Sequence, residues 1–259
     1  MEKLSLCLLV IISLSNAFAQ TDLSAAMKSR NDFQRFLKRE KWERPLFGLS
    51  SIFFSGVQDM IGKAFVFPKE SENSYVSLTA RLTKPLTAFT VCLRVYTDLN
   101  RDYSLFSYAT KTQYNEILLF RGKTAVYSIS VGGADVIFKP HQSSEPMHFC
   151  MTWESTSGIT ELWVDGKPMV RRSLKRGYSL GTQASIILGQ EQDAFAGGFE
   201  KNQCLVGDIG DVNMWDYVLS PEEINTVYAG GTFSPNVLNW RALRYEMSGE
   251  VYVKPQLWP

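Results

Sequence analysis

The sequence predicts an all-β domain, a sandwich or jelly roll that carries one short helix. The first observation is a series of short runs that alternate apolar with polar residues or are rich in β-branched and aromatic residues. Clear examples are residues 89–96, 125–131 and 160–164. The second is the set of turn signals between such runs, at Gly132-Gly133, Asp165-Gly166 and Gly230-Gly231. Many short strands joined by such turns are typical of sandwiches and jelly rolls.

The third observation is that one segment stands out as helical. Ser220 is a good N-cap, Pro221 suits the first turn, and Glu223 supplies the acid of a capping box. Ile224 and Tyr228 then fall on one face before the glycine pair ends the pattern. We expect a single short helix that lies on the sandwich.

The N-terminus has the features of a secretory signal peptide over residues 1–19. A lysine lies near the start, a short apolar run covers residues 4–14, and Ala17-Phe18-Ala19 precedes Gln20. The apolar run is too short to span a bilayer, and the sequence has no longer one. The sequence therefore predicts a secreted, extracellular chain without a transmembrane segment.

Residues 20–59 form an N-terminal extension whose character differs from that of residues 60–259. Between Leu23 and Asp59 basic residues outnumber acidic ones, and Phe33, Phe36 and Leu37 have helical spacing. A basic amphipathic helix over residues 26–41 would suit a membrane surface or a partner protein. The other interpretation, which we favour, is a poorly ordered insertion that contributes no chemistry.

The overall charge excludes one class of partner. The chain of 259 residues has 27 Lys and Arg against 26 Asp and Glu, so bulk charge does not favour a nucleic acid. Residues 60–259 are long enough to form one domain with a sizeable core.

The four cysteines fit secretion. Cys7 is lost with the signal peptide, and Cys92 and Cys150 both lie in strand-like runs, so an extracellular location favours a disulfide between them. A bridge closing a loop of that length stabilises by roughly 4 kcal/mol on the chain-entropy model. Cys204 is left as a buried free thiol or as a partner for another chain.

An acidic stretch is the candidate site. Residues 187–193 read Ile-Leu-Gly-Gln-Glu-Gln-Asp, so a strand that ends at Gly189 and continues as extended chain would place Glu191 and Asp193 on one side. Glu200 and Gln203 come after a glycine-rich bend. Carboxylate, amide and carbonyl oxygens without His or Cys are the ligands that calcium prefers. The spacing alone leaves two interpretations open, a calcium site and a solvated acidic loop.

Several motifs resemble those of the pentraxin family. Residues 148–155, His-Phe-Cys-Met-Thr-Trp-Glu-Ser, are similar to the pentraxin pattern His-x-Cys-x-Ser/Thr-Trp-x-Ser. Further similarity lies in residues 64–70, 206–210, 219–221 and 254–259, and the resemblance covers residues 1–22 and 60–259. It implies a flattened two-sheet antiparallel jelly roll of the lectin-like kind, five copies of which form a ring.

The resemblance also implies a ligand and a set of residues. Two calcium ions on one face of each subunit would support calcium-dependent binding of phosphocholine. The implied calcium ligands are Asn115, Glu191, the main-chain carbonyl of Gln192, Asp193, Glu200 and Gln203. The implied phosphocholine pocket consists of Phe120 and Asp135, with Ser130 nearby. In this interpretation the excess charge of the metals binds the phosphate, while the ring and the carboxylate bind the choline cation.

The function implied by the resemblance is innate immune recognition of the acute-phase type. The protein would bind phosphocholine on microbial and damaged-cell surfaces and then activate complement and opsonise its target. Asp165 and Tyr228 correspond to residues that contact the recognition subunit of the first complement component, and immunoglobulin receptors are further partners. Both residues also have structural interpretations, because Asp-Gly between strands makes a type I′ turn and Tyr228 could pack onto the sheet.

Two positions depart from the family pattern. Tyr114 takes the place of an acidic residue before the Asn115 ligand, and losing a carboxylate should weaken one calcium site. Asp135 takes the place of a glutamate, so the carboxylate is one methylene shorter. We expect a weaker or broader preference that includes phosphoethanolamine.

Other functions fit less well. A glycoside hydrolase with the pattern Glu-x-Asp-x-x-Glu would need an acid at Ala196, and the only histidines, His141 and His148, accompany no Gly-x-Ser-x-Gly motif. We therefore expect no enzyme. A calcium-dependent lectin for anionic or galactan-type carbohydrate is the main alternative, and a purely structural secreted protein is the third.

Overall fold

The structure of the described chain is a sandwich of two antiparallel sheets. The computed structural model describes residues 56–80, 82–140, 146–231 and 233–258. The predicted signal peptide, the helix expected over residues 26–41 and all but the last four residues of the extension lie outside these ranges. All the strands and helices of the sandwich belong to the unit Phe54–Pro259.

Fifteen strands in the described ranges form the two sheets. They are β1 (Lys63–Phe67), β2 (Tyr75–Leu78), β3 (Ala88–Tyr96), β4 (Tyr103–Thr110), β5 (Ile117–Gly122), β6 (Val126–Val131), β7 (Ala134–Phe138), β8 (Met147–Glu154), β9 (Ile159–Val164), β10 (Lys167–Pro168), β11 (Arg172–Ser173), β12 (Ala184–Leu188), β13 (Gly207–Trp215), β14 (Tyr245–Ser248) and β15 (Tyr252–Pro255). Sheet A has the order β14-β2-β12-β4-β5-β6-β7. Sheet B has the order β10-β9-β8-β3-β13-β1-β15, and β11 pairs with β9. All the strand pairings are antiparallel, which confirms the predicted jelly-roll class.

The core lies between the sheets and follows the two-residue period of the strands. On β3, Phe89, Val91 and Leu93 lie in the main core cluster, while Thr90 and Cys92 alternate with them on the other face. β4 differs, because all eight of its residues are buried. A strand with both faces covered needs a second layer on the outside, and the candidate site supplies part of that layer.

The helix and the disulfide cover the outer face of sheet B. The helix α1 (Pro221–Tyr228) begins with the predicted capping box, in which the Ser220 side chain accepts from the Glu223 N–H and Glu223 accepts from the Ser220 N–H. Ile224 is buried against the Cys92–Cys150 disulfide, which joins directly opposed residues of β3 and β8. Both predictions are confirmed. Short 3-10 helices span Lys201–Gln203 and Trp240–Ala242.

The predicted hairpin turn at Asp165-Gly166 is present. Both residues have positive φ, at 49° and 73°, as a two-residue type I′ turn requires. The turn joins β9 to β10, with Val164 opposite Lys167. It places Asp165 at the edge of sheet B, away from the acidic stretch at the end of β12 in sheet A.

Candidate functional site

The acidic stretch forms a closed loop over the end of β12. The strand ends at Leu188, one residue before the predicted end, and Gly189 turns the chain with φ at 85°. A Cβ on Gly189 would lie 2.4 Å from the Phe67 ring, so this turn needs glycine. The Leu205 N–H donates to the Gly189 carbonyl at 2.9 Å, which brings the two ends together. We call residues 189–205 the acidic loop.

Two glutamines attach the acidic loop to the sandwich. Gln190 and Gln192 have no exposed surface. The Gln192 Nε2 donates to the carbonyls of Ser107 and Ser185, each at 3.1 Å, and its Oε1 accepts from the Ala196 N–H at 3.0 Å. The Gln190 Nε2 donates to the Ser74 carbonyl at 3.0 Å. These contacts hold the Gln192 side chain against sheet A, and the resemblance assigns only its main-chain carbonyl to calcium.

Glu191 lies between these two glutamines and gathers other polar groups around it. Its side chain is only 8% exposed, and burial raises its pKa to about 7. The negative charge of Asp193 raises the pKa further, and Glu200 and Asp102 add to the effect. A hydrogen bond with Asn115 acts in the opposite direction. Glu191 is therefore close enough to three other carboxylates for their charges to act on it.

The second half of the acidic loop is held by a tight turn and by one arginine. Ala194 and Gly197 form an isolated antiparallel bridge, and a Cβ on Gly198 would lie 2.9 Å from the Ala194 nitrogen. Arg101 donates from Nη1 to the Cys204 carbonyl at 2.7 Å and from Nε to Glu70 Oε1 at 3.0 Å. These contacts fix the chain directly after Gln203. Cys204 itself is buried and forms no disulfide within the chain.

Two amide oxygens of the predicted ligand set lack partners. Asn115 Oδ1 and Gln203 Oε1 are both buried and accept no hydrogen bond. Buried acceptors in that condition are uncommon, and a cation is one of the groups that satisfy them. Carboxylate and amide oxygens are also the donors that calcium takes. The residues present therefore fit calcium, and the neighbouring Tyr114 side chain, 47% exposed, adds no charge to them.

Another cluster in the described residues is not a metal site. The ligand atoms of Cys92, His148 and Cys150 lie within 4.8 Å of one another. The two sulfur atoms are joined in the disulfide, so neither is a thiolate that could bind an ion. The carboxylates of the acidic loop are spread more widely, as expected of like charges.

The three predicted pocket residues lie on neighbouring strands of sheet A. Ser130 on β6 is directly opposite Asp135 on β7, and Phe120 on β5 is opposite Ser128, two residues along β6. The neighbours of Phe120 on β5, Leu119 and Arg121, face inward, so Phe120 lies on the outer face. Phe120 is half-buried and Asp135 is exposed, while Ser130 is buried. A ring and a carboxylate thus share a face, with strand β6 between them.

Comparisons with known proteins decide the family. The model of the Pentaxin family matches residues 63–255. The chain belongs to the pentraxin family. It is 85% identical to the C-reactive protein of Sus scrofa over 259 residues, covering 100% of each chain. It is 58% identical to the C-reactive protein of Homo sapiens over 262 residues, again covering 100% of each.

A solved pentraxin structure supports the fold. The heptameric SAP-like pentraxin from Limulus polyphemus matches with a TM-score of 0.68 at 20% identity, covering 77% of this chain and 97% of that one.

Pentraxins of the C-reactive protein type are calcium-binding pattern-recognition proteins and are not enzymes, so the chain is a pattern-recognition pentraxin without enzymatic activity. In the described ranges, no helix has the length and apolar character needed to cross a membrane.

The two predicted complement-contact residues of this pentraxin lie together on the outer face of sheet B, Asp165 in the turn between β9 and β10 and Tyr228 at the end of α1. The His148 N–H donates to Asp165 Oδ1 at 2.8 Å, and the His148 ring lies 5.5 Å from the Tyr228 ring. The Arg94 guanidinium lies over Tyr228 at 5.5 Å and donates to its carbonyl. Tyr228 keeps 37% of its surface exposed. The pair therefore belongs to the opposite sheet from the acidic loop.

Sequence reasoning missed the residues that support the site. Gln190, Arg101 and Asp102 hold or face the acidic loop, yet each is distant in sequence from most of the groups it meets. The alternation around Tyr103 predicts which face Asp102 lies on. It does not predict that the acidic loop folds back over that face.

Proposed function

We propose that this pentraxin is a secreted protein that binds phosphocholine on microbial and damaged-cell surfaces in a calcium-dependent manner. The observation that carries the proposal is the group of buried, unpartnered oxygens around Glu191, beside a sheet face that bears Phe120 and Asp135. Secretion agrees with the predicted signal peptide and with the C-reactive proteins, which are secreted.

Two calcium ions per subunit would be held by oxygens alone. The proposed ligands are Asn115, Glu191, the carbonyl of Gln192, Asp193, Glu200 and Gln203. Bound calcium would supply the positive charge that attracts a phosphate group. Tyr114 brings no carboxylate to the ion beside Asn115, so we propose that this ion binds more weakly.

The choline end of the ligand would bind to the outer face of sheet A. A quaternary ammonium against the Phe120 ring gains about 0.5 to 2 kcal/mol, or roughly 2- to 30-fold in affinity. Asp135 supplies the countercharge, and Ser130 lies directly opposite it. Ile137, exposed and two residues along β7 from Asp135, extends the apolar surface on the same face. The short Asp135 side chain favours acceptance of phosphoethanolamine as well.

Variants of Asp135 test this assignment. Equilibrium dialysis in calcium should show weaker phosphocholine binding by Asp135→Ala and unchanged binding by Glu222→Ala, a control on α1. Asp135→Glu should shift the preference from phosphoethanolamine toward phosphocholine. Unchanged phosphocholine affinity in Asp135→Ala would remove the carboxylate from the pocket. Inhibition by galactans in place of phosphocholine would favour the lectin function.

We also propose that Asp165 and Tyr228 contact the recognition subunit of the first complement component, with opsonisation as the result. Their position on sheet B leaves them free while sheet A faces the target surface. Asp165→Asn keeps a hydrogen-bond acceptor for the His148 N–H and tolerates positive φ, so it removes the charge alone. We expect it to bind phosphocholine normally and to recruit less complement, and equal recruitment would contradict the assignment.

The assembly proposed is a ring of five copies. Native mass spectrometry of the mature protein should give the mass of five chains. The Limulus relative is heptameric, so a seven-chain mass is the alternative that would overturn the proposal.

A further inference from the structure

A carboxylate outside the predicted ligand set faces the acidic loop. Asp102 immediately precedes β4, and Tyr103, the first residue of the strand, has its ring in the main core cluster. Side chains alternate along a strand, so Asp102 and Ser104 lie on the outer face of sheet A. Phe120 is directly opposite Ser104 and lies on the same face.

This part of the outer face is buried yet leaves polar atoms unsatisfied. Ser104 has no exposed surface, and its hydroxyl has no hydrogen-bond partner. Asp102 Oδ1 is likewise buried without a partner. Two unpartnered oxygens that are two residues apart on one face favour a cation, because a buried acceptor without a partner is uncommon and costly.

The guanidinium of the adjacent arginine is committed elsewhere. The guanidinium of Arg101 donates to the carbonyls of Asp102 and Cys204, at 2.8 and 2.7 Å, and to Glu70. The unpartnered oxygen of the Asp102 carboxylate receives none of these hydrogen bonds. Since Cys204 comes directly after Gln203, the same contacts bring the start of β4 beside the Gln203 end of the acidic loop. Asp102 is also close enough to Glu191 for the two charges to interact.

We propose that Asp102 is an additional calcium ligand at the Gln203 end of the acidic loop. With it the cluster has four carboxylates, although Tyr114 has removed the one expected beside Asn115. Asp102 lies before β4 and Asn115 lies after it. The additional carboxylate therefore strengthens calcium binding at the Gln203 end of the acidic loop and does not replace the carboxylate that is missing beside Asn115. The inference rests on the proposed calcium site.

Calcium titration of Asp102→Asn tests the proposal. The substitution keeps the shape of the side chain and removes its charge. We expect calcium affinity to fall by at least about 10-fold, since even the loss of a group that only supports a metal ligand costs about 10- to 100-fold. Asp98→Asn is the matched control, since Asp98 is an exposed acid on the preceding loop. Asp102→Ala, as a second variant, should show the same loss.

A second readout separates a metal ligand from a structural residue. In EDTA, Asp102→Asn should unfold at the parent's temperature or above it, because the substitution removes repulsion with Glu191. Adding calcium should raise the unfolding temperature of Asp102→Asn by less than it raises that of the parent. A lower unfolding temperature in EDTA, or the same calcium affinity as Asp98→Asn, would overturn the assignment. If the parent binds phosphocholine equally well with and without calcium, the proposed function fails, and the titration result for Asp102 still stands.

Discussion

Gln192 offers a sharp test of how the acidic loop is positioned. Its amide has two N–H donors and one acceptor oxygen, and all are used, against Ser107 and Ser185 of sheet A and Ala196 of the acidic loop. Gln192→Leu keeps the volume but removes these contacts. At about 1 kcal/mol for each hydrogen bond, the free energy of unfolding should fall by about 3 kcal/mol. For a domain of this size that corresponds to roughly 6 to 12 °C in unfolding temperature.

The same substitution should reduce calcium affinity. The acidic loop would lose the contacts that orient the Gln192 carbonyl and the neighbouring Glu191, so calcium would have to order these groups as it binds. Gln256→Leu is the control, because the Gln256 Nε2 makes one hydrogen bond, to the Trp258 carbonyl, away from the acidic loop. Thermal unfolding in EDTA and calorimetric titration give the two quantities. Parent-like unfolding and calcium affinity in Gln192→Leu would refute the reasoning.

Two further predictions concern charge. Tyr114→Asp should strengthen the weaker calcium site and bring the two affinities together; two equally tight sites in the parent's calorimetric titration would contradict the role given to Tyr114. His148 is buried, which lowers its pKa to about 3 from the ordinary 6.5, so it stays neutral in the fold while the unfolded chain takes up a proton below pH 6.5. As the pH falls from 6.5 to 5, the free energy of unfolding should therefore fall by about 2 kcal/mol from this residue alone. Urea unfolding of the parent and of His148→Phe should differ by that amount in pH dependence, and parallel curves would argue against it.

Elements with local signals could be predicted from the sequence. The helix is predicted by the capping box at Ser220, and the type I′ turn is predicted by Asp165-Gly166. The strand before the acidic loop ends within one residue of the prediction because Gly189 turns the chain with positive φ. These features depend on neighbours along the chain, so composition and spacing reveal them.

The surroundings of the candidate site depend on distant parts of the chain. Gln192 is fixed by Ser107 on β4, and Gln190 by Ser74 before β2, across sequence separations of 85 and 116 residues. No periodicity predicts which strand lies beside β12. The resemblance supplied the ligand set, and it could not supply Asp102, which is not among the ligands that the resemblance implies.

The most direct measurement is equilibrium dialysis of phosphocholine against the mature protein with calcium and with EDTA. If oxygens around Glu191 hold calcium that binds the phosphate, binding should be strong with calcium and lost with EDTA. Equal phosphocholine binding in both conditions would contradict the central claim.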